Sequence, residues 1–192
     1  MNRSNKVHRI TLTAILMAII LVMSFTPLGY LKAGIVSITF LAVPVVIGGI
    51  VLGPLYGGVL GAVFGATSFA QCFGMDAFGT ALMGLNPLAT FITCLLPRIL
   101  IGVVAGWLYR LLHRWDRAGV WSAVVTSVAG SLTNTVFFVG MVIAFFQSSY
   151  FAGSGVWDII LLFFSVNIPL EAVVCGVLGG ALSKALTVVM KE

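Results

Sequence analysis

The chain has 192 residues, 60% of them hydrophobic and only 8% charged, with a net charge of +5 and a mean hydropathy of +1.17. Soluble domains carry about 25% charged residues, so this composition excludes a water-exposed globular surface. The chain also lacks the alternating pattern of a membrane β-barrel. It reads as an all-α integral membrane protein, a single membrane domain.

Six apolar runs, at residues 10–27, 35–52, 54–73, 90–112, 120–146 and 156–189, are long enough to cross a hydrocarbon core about 30 Å thick. The first has a basic start and an apolar core, as a signal peptide does. No small-residue cleavage site follows cleanly and five more runs come after it, so it reads as a first helix. Ala14 and Ala18 make a small-xxx-small pair in it. The rest of its surface is uniformly apolar, which marks it as the candidate face for docking to another membrane protein.

Across the second and third runs, "GGIVLGPLYGGVLGAVFGA" places Gly49, Gly53, Gly57, Gly61 and Gly65 four residues apart. Lipid provides little hydrophobic drive between helices, so small residues that admit close backbone contact drive association instead. Gly53-Pro54 reads as the tight cytoplasmic turn between the two spans, with Pro54 at the first helical position. The two arms are expected to pack as a hairpin. Pro44 is expected to bend span two or interrupt its ladder.

The segment before span four, "FGMDAFGTALMGLNP", and the one before span six, "FQSSYFAGSGVWD", are rich in Gly and aromatics. Loops of that kind can hinge, stack and close over a ligand. Span four then carries Arg98 with no other charge in the twelve residues before it or the eleven after it. A guanidinium at the centre of a span costs roughly 2.5–3.5 kcal/mol on translocon scales, and such residues face a bundle interior or a wet cavity. One reading is an ion pair with Glu171 that fixes helix packing. The other is a planar, bidentate fork offered to a ligand carboxylate or phosphate, with Glu171 orienting it from behind.

Further polar residues of this region include Asn86, Ser131, Thr133, Asn134 and Asn167. Asn86, Asn134 and Asn167 can supply amide donors and acceptors to a ligand, or simple interhelical hydrogen bonds. Their distribution divides the chain into packing and docking helices (10–73) and a pocket unit (74–189). Small pairs Gly102/Gly106 and Gly176/Gly180 are further packing candidates.

Orientation follows from the short flanks. Arg3, Lys6, Arg9, Arg110, Arg114, Arg117, Lys184 and Lys191 lie on one side and Lys32 alone on the other, beside Asp76 and Asp158. Both termini are therefore expected in the cytoplasm, and the positive charge is a topology signal with no nucleic-acid partner behind it. Trp157, Tyr150 and Tyr30 can equally stack on a ligand or serve as outer belt anchors, with the belt favoured for the tryptophan, and Trp107, Tyr109, Trp115 and Trp121 read as inner anchors. Cys72, Cys94 and Cys175 lack CxxC spacing and read as small buried hydrophobes. No phosphate-binding loop, HExxH or GxSxG occurs, and the only histidines, His8 and His113, sit at cytoplasmic ends. An enzyme, a metal site and a bound cofactor are therefore not expected.

The set "AILMA", "NPLATFITCLLPRILIGVVAG", "GSLTNTVFFVG" and "NIPLEAVV" resembles the substrate-binding S components of energy-coupling factor (ECF) vitamin transporters across nearly the whole chain, most closely the pantothenate-type branch. The resemblance implies a prokaryotic plasma-membrane protein that binds a vitamin in the outer halves of helices four to six. It implies docking, through Ala14 and Ala18, to a transmembrane coupling protein with two ATPase subunits, followed by toppling to release substrate inside. Pantothenate, with a carboxylate, two hydroxyls and an amide, suits Arg98 plus three asparagines. Folate, riboflavin and cobalamin stay open. The competing class is an autonomous secondary carrier or channel for a small anionic solute, completed by dimerisation. Against it stand the lack of internal symmetry and of an acidic coupling site beyond Glu171. A structural assembly subunit is a third class, and it would tolerate loss of Arg98 or Asn134.

Overall fold

A computed structural model describes residues 3–26, 29–33, 36–114 and 120–147, with the single positions 149, 157, 161, 176 and 177. The sixth expected span, with Asn167, Glu171 and Cys175, and most of the loop before it lie outside the described residues.

Helix α1 (Arg3–Ser24) buries Thr13, Leu16, Ile20 and Ser24, one residue per helical turn along one stripe. The opposite side, with Ile10, Ala14, Ile15, Ala18 and Val22, is exposed. The second span departs from expectation. Strands β1 (Tyr30–Ala33) and β2 (Val36–Thr39) pair antiparallel, with Tyr30 opposite Thr39 and Ala33 opposite Val36, so the described residues are helical apart from this strand pair. Only Ala42–Leu52, 11 residues, forms helix α2. That is about 16 Å of helix, roughly half a hydrocarbon core. The apolar run hid the change because "VSIT" is β-branched and alternating, a strand signal that mean hydropathy does not register.

Helix α2 is buried over nearly its whole surface, as expected of a helix apolar all round and enclosed by neighbours. Pro44 lies in its first turn, where a missing N–H breaks no intrahelical bond. Within α2 it therefore interrupts no ladder hydrogen bond. Gly53, at φ +104°, joins α2 to α3 (Pro54–Gln71). Its N–H donates to Gly49 O at 3.1 Å and its carbonyl accepts from Gly57 N at 3.0 Å. Such a φ is available to glycine without strain. The turn and Pro54 at the first helical position agree with expectation.

The glycine stripe makes the hairpin contact and a second, larger one. A Cβ on Gly57 would lie 2.7 Å from Gly49 Cα and 2.5 Å from the carbonyl oxygen of Gly102 on helix α5 (Pro87–Leu112). On Gly61 it would overlap the Arg98 carbonyl, and on Gly65 it would lie 2.9 Å from Leu95 Cα. A Cβ on Gly106 would lie 2.6 Å from Pro54 Cα. Backbone therefore meets backbone along α3 and α5, the most extensive helix contact among the described residues.

The loop before α5 contains helix α4 (Ala77–Leu85), which the sequence reading took as an irregular loop. Asp76 caps it by accepting from Gly79 N at 2.7 Å. Leu82 packs with Ala89 of α5 and Phe146 of helix α6 (Val120–Phe146), seating α4 on the ends of both. α5 runs unbroken through Pro97 for 26 residues. Segments Val7–Ser24, Pro87–Leu112 and Trp121–Phe146 are long and apolar enough to cross a membrane. Trp107, Trp121 and Trp157 are exposed, as belt residues are. Tyr109 is not a belt anchor: it is buried, its ring stacked on His113 at 5.2 Å.

Candidate functional site

Arg98 lies at the junction of α3, α5 and α6, 9% exposed. Its Cζ is 4.8 Å from the ring centroid of Phe138 on α6 and 5.6 Å from that of Phe64 on α3. Each contact is within cation–π range, worth up to about 2 kcal/mol when desolvated. Together they are comparable with the roughly 2.5–3.5 kcal/mol insertion cost.

Its hydrogen bonding follows from the residue before it. Pro97 has no N–H, so the carbonyl of Thr93, four residues earlier, has no helical donor. Arg98 Nη1 donates to that carbonyl at 3.0 Å. Proline and arginine thus act together, the one freeing an acceptor and the other filling it, and the helix stays continuous. Thr93 is the residue that the sequence reading missed. The signal was present, since an acceptor is orphaned four residues before any proline inside a helix.

Arg98 Nε, Thr93 Oγ1 and Asn134 Oδ1 are buried without a hydrogen-bond partner among the described residues. Asn134 is 8% exposed. On α6 it lies one turn after Gly130, where a Cβ would touch Val46 at 3.0 Å and Ile101 at 3.6 Å. It lies one turn before Phe138, which stacks on the guanidinium. The α5–α6 interface thus holds a donor and an acceptor that are both unmatched, and leaving such groups unpaired costs roughly 1–3 kcal/mol each. Ser131, one turn before Asn134, and Thr135, next to it in sequence, are buried as well.

Asn86 sits elsewhere. It is exposed and caps α5, its Oδ1 accepting from Ala89 N at 3.1 Å and its carbonyl from Thr90 Oγ1 at 2.9 Å. The cap uses its oxygen, and Nδ2 is the group left to offer a ligand. The structure brings Arg98 and Asn134 to the α5–α6 interface, while Asn86 lies apart from them at the start of α5. Asn167 and Glu171, and any pairing of Glu171 with Arg98, fall outside the described residues.

A family profile, "ECF transporter, substrate-specific component", matches residues 8–183. The chain belongs to the substrate-specific components of ECF transporters. It is also 30% identical to the pantothenic acid transporter PanT of Lactococcus lactis subsp. cremoris (strain MG1363), over 78% of this chain and 77% of that protein. The family is one of transport subunits and not of enzymes, and the long apolar helices are those of a membrane protein.

In this S component the N-terminal helices are less apolar inside than their sequence implied. The hydroxyls of Ser24 on α1 and Thr67 on α3 are 3.0 Å apart, and Gln71 Nε2 donates to the Ser24 carbonyl. Thr67 Oγ1 also donates to the Phe64 carbonyl at 2.8 Å. This polar lock pins the end of α1 to the helix that presents Phe64 to Arg98.

Proposed function

We propose that this S component is the high-affinity, membrane-embedded binding subunit of an ATP-driven vitamin uptake system, with pantothenate or another small anionic vitamin as substrate. The observation that carries the reading is the Arg98 guanidinium. It is held between two aromatic rings, with Nη1 committed to Thr93 O and Nε unmatched among the described residues. That leaves one edge of the fork for a carboxylate. Asn134 Oδ1, an unmatched acceptor, suits a hydroxyl or amide N–H beside that carboxylate. Both features occur in pantothenate, and the likeness to PanT supports the same choice. Asn86, Asn167 and Glu171 complete the proposed site.

In this reading the chain crosses a prokaryotic plasma membrane six times with both termini in the cytoplasm. Helices 10–73 pack and dock, and residues 74–189 form the pocket, with Phe64 reaching across from α3. The exposed side of α1, with Ala14 and Ala18, meets a transmembrane coupling protein, and two partner ATPases supply the hydrolysis. The protein needs no cofactor of its own, and its surroundings are lipid.

Calorimetric titration of the detergent-solubilised protein with a vitamin panel led by pantothenate tests this. Tight one-to-one binding, weakened by about 2 kcal/mol in Arg98→Ala, is the expected result. Retention of full affinity in that variant would reduce Arg98 to a packing residue. Uptake into liposomes by the chain alone, without ATPases, would replace the S-component mechanism by an autonomous carrier.

A further inference from the structure

Cys72 and Cys94 lie 22 residues apart in sequence, yet their Sγ atoms are 3.8 Å apart, within S–H···S hydrogen-bond distance and not joined by a disulfide. Cys72 directly follows α3 and is 3% exposed; Cys94 is in the second turn of α5 and 7% exposed. Helix α4 lies on this pair, since a Cβ on Gly79 would be 2.6 Å from Cys72 Sγ. Cys94 adjoins Thr93, whose carbonyl holds Arg98 Nη1, and precedes Arg98 by one helical turn on the same face. Neither thiol takes part in the proposed substrate contacts.

We propose that Cys72 and Cys94 are a redox-active dithiol that a small-molecule disulfide oxidises to a disulfide, stapling the α3–α4 junction to the turn of α5 that carries Thr93 and Arg98. The S–S bond length is about 2.05 Å, so the sulfurs need to close by only about 1.8 Å, a movement within reach of side-chain rotation. In the first step one protein thiolate attacks the reagent disulfide, forming a mixed disulfide and expelling one reagent thiolate. In the second the other cysteine attacks the mixed disulfide and expels the second. The two protein thiol protons end on the two reagent thiols. The protein is oxidised by two electrons and the reagent reduced by two. The pair lies at the end of α5 opposite Arg110 and Arg114. On the orientation proposed above that end faces the outside, where disulfides persist. Only this physiological setting rests on that reading.

The test treats folded, detergent-solubilised protein carrying Cys175→Ala with 2,2′-dithiodipyridine and reads intact mass, peptide map and melting temperature. The expected result is loss of two hydrogens with no retained reagent group, and a linked peptide pair containing Cys72 and Cys94. The melting temperature should rise by several degrees, and all three changes should reverse with reductant. With Cys72→Ser added, the linked pair should vanish. If Cys175→Ala does not fold, peptide mapping of the wild-type chain reads the same cross-link. Separate stable adducts on both cysteines, no reaction in the folded state, or a cross-link seen only in denaturant would each overturn the proposal. No vitamin enters this assay, so its failure leaves the substrate reading intact, and failure of vitamin binding leaves the dithiol intact.

Discussion

Helix α5 has two seams of opposite character. Toward α3 it presents Gly102, Gly106 and the backbone at Leu95 and Arg98, and glycines of α3 meet it with no side chain between. Toward α6 it presents Thr93 and the side chain of Arg98, across from Asn134 and Phe138, with polar atoms left unmatched among the described residues. The first seam is matched atom to atom and tolerates no addition. The second carries unspent hydrogen-bonding capacity, which a stable fold does not need and a binding site does. Rigid positioning on one face lets the other keep a costly arrangement of polar groups.

The strongest way to break this contrast is to fill the glycine seam. Gly61→Val puts a branched side chain into the Arg98 carbonyl, with backbone on both sides and no flexible group to yield. Loss of more than about 4 kcal/mol is expected, seen as aggregation or a collapsed melting temperature in detergent. A normal melting profile would show that the seam can separate. Second in size is the Arg98 series. Arg98→Ala should lower affinity about 30-fold, the equivalent of 2 kcal/mol. Arg98→Lys should recover little of it, because an ammonium cannot reach the Thr93 carbonyl and a ligand with the same planar fork. Equal affinities for the Lys variant and wild type would show that charge alone matters.

Asn134→Leu should behave unlike either. It removes an unmatched buried polar group, so the melting temperature should hold or rise, while affinity falls by about 1 kcal/mol for one lost neutral hydrogen bond. Parallel losses of stability and affinity would place Asn134 among the packing residues. The smallest effect is expected from Pro97→Ala. The restored N–H competes for the Thr93 carbonyl and frees Arg98 Nη1, so thermal stability should rise modestly and affinity should change by only a few-fold. A large loss of affinity would make the proline itself the device that aims the guanidinium.

Much of the helical scaffold was legible from hydropathy. The fifth run matches α6 residue for residue, α3 and α5 fall within three positions of their expected spans, and α1 begins seven residues earlier than expected. Crossing lipid demands a long apolar segment, and that property is a sum along the chain. The errors fall where hydropathy is silent. "VSIT" and "VPVVIGGIV" lie in one apolar run, yet one is a strand and the other a buried helix. "AFGTALMGL" forms α4 because Asp76 caps it, a signal masked by the glycines Gly74, Gly79 and Gly84. Of the candidate site, Arg98 and Asn134 were readable as polar residues in apolar surroundings. The ring pair Phe64 and Phe138 was not, because in a chain with 14 phenylalanines nothing local distinguishes them. The closeness of Cys72 and Cys94 was equally hidden, since their spacing fits no motif and only the α3–α5 contact unites them.

The sequence alone determined the solvent, the long helices, the turn at Gly53-Pro54 and the residue whose burial demands an explanation. Each depends on properties that are local or additive along the chain. The tertiary structure alone decided that the glycine stripe faces α5 as well as α2, that Arg98 lies between two rings and that its Nη1 fills the carbonyl orphaned by Pro97. Lipid makes all apolar helix faces nearly equivalent, so the choice of neighbour comes from close packing and hydrogen bonding. Those exist only once the helices are assembled.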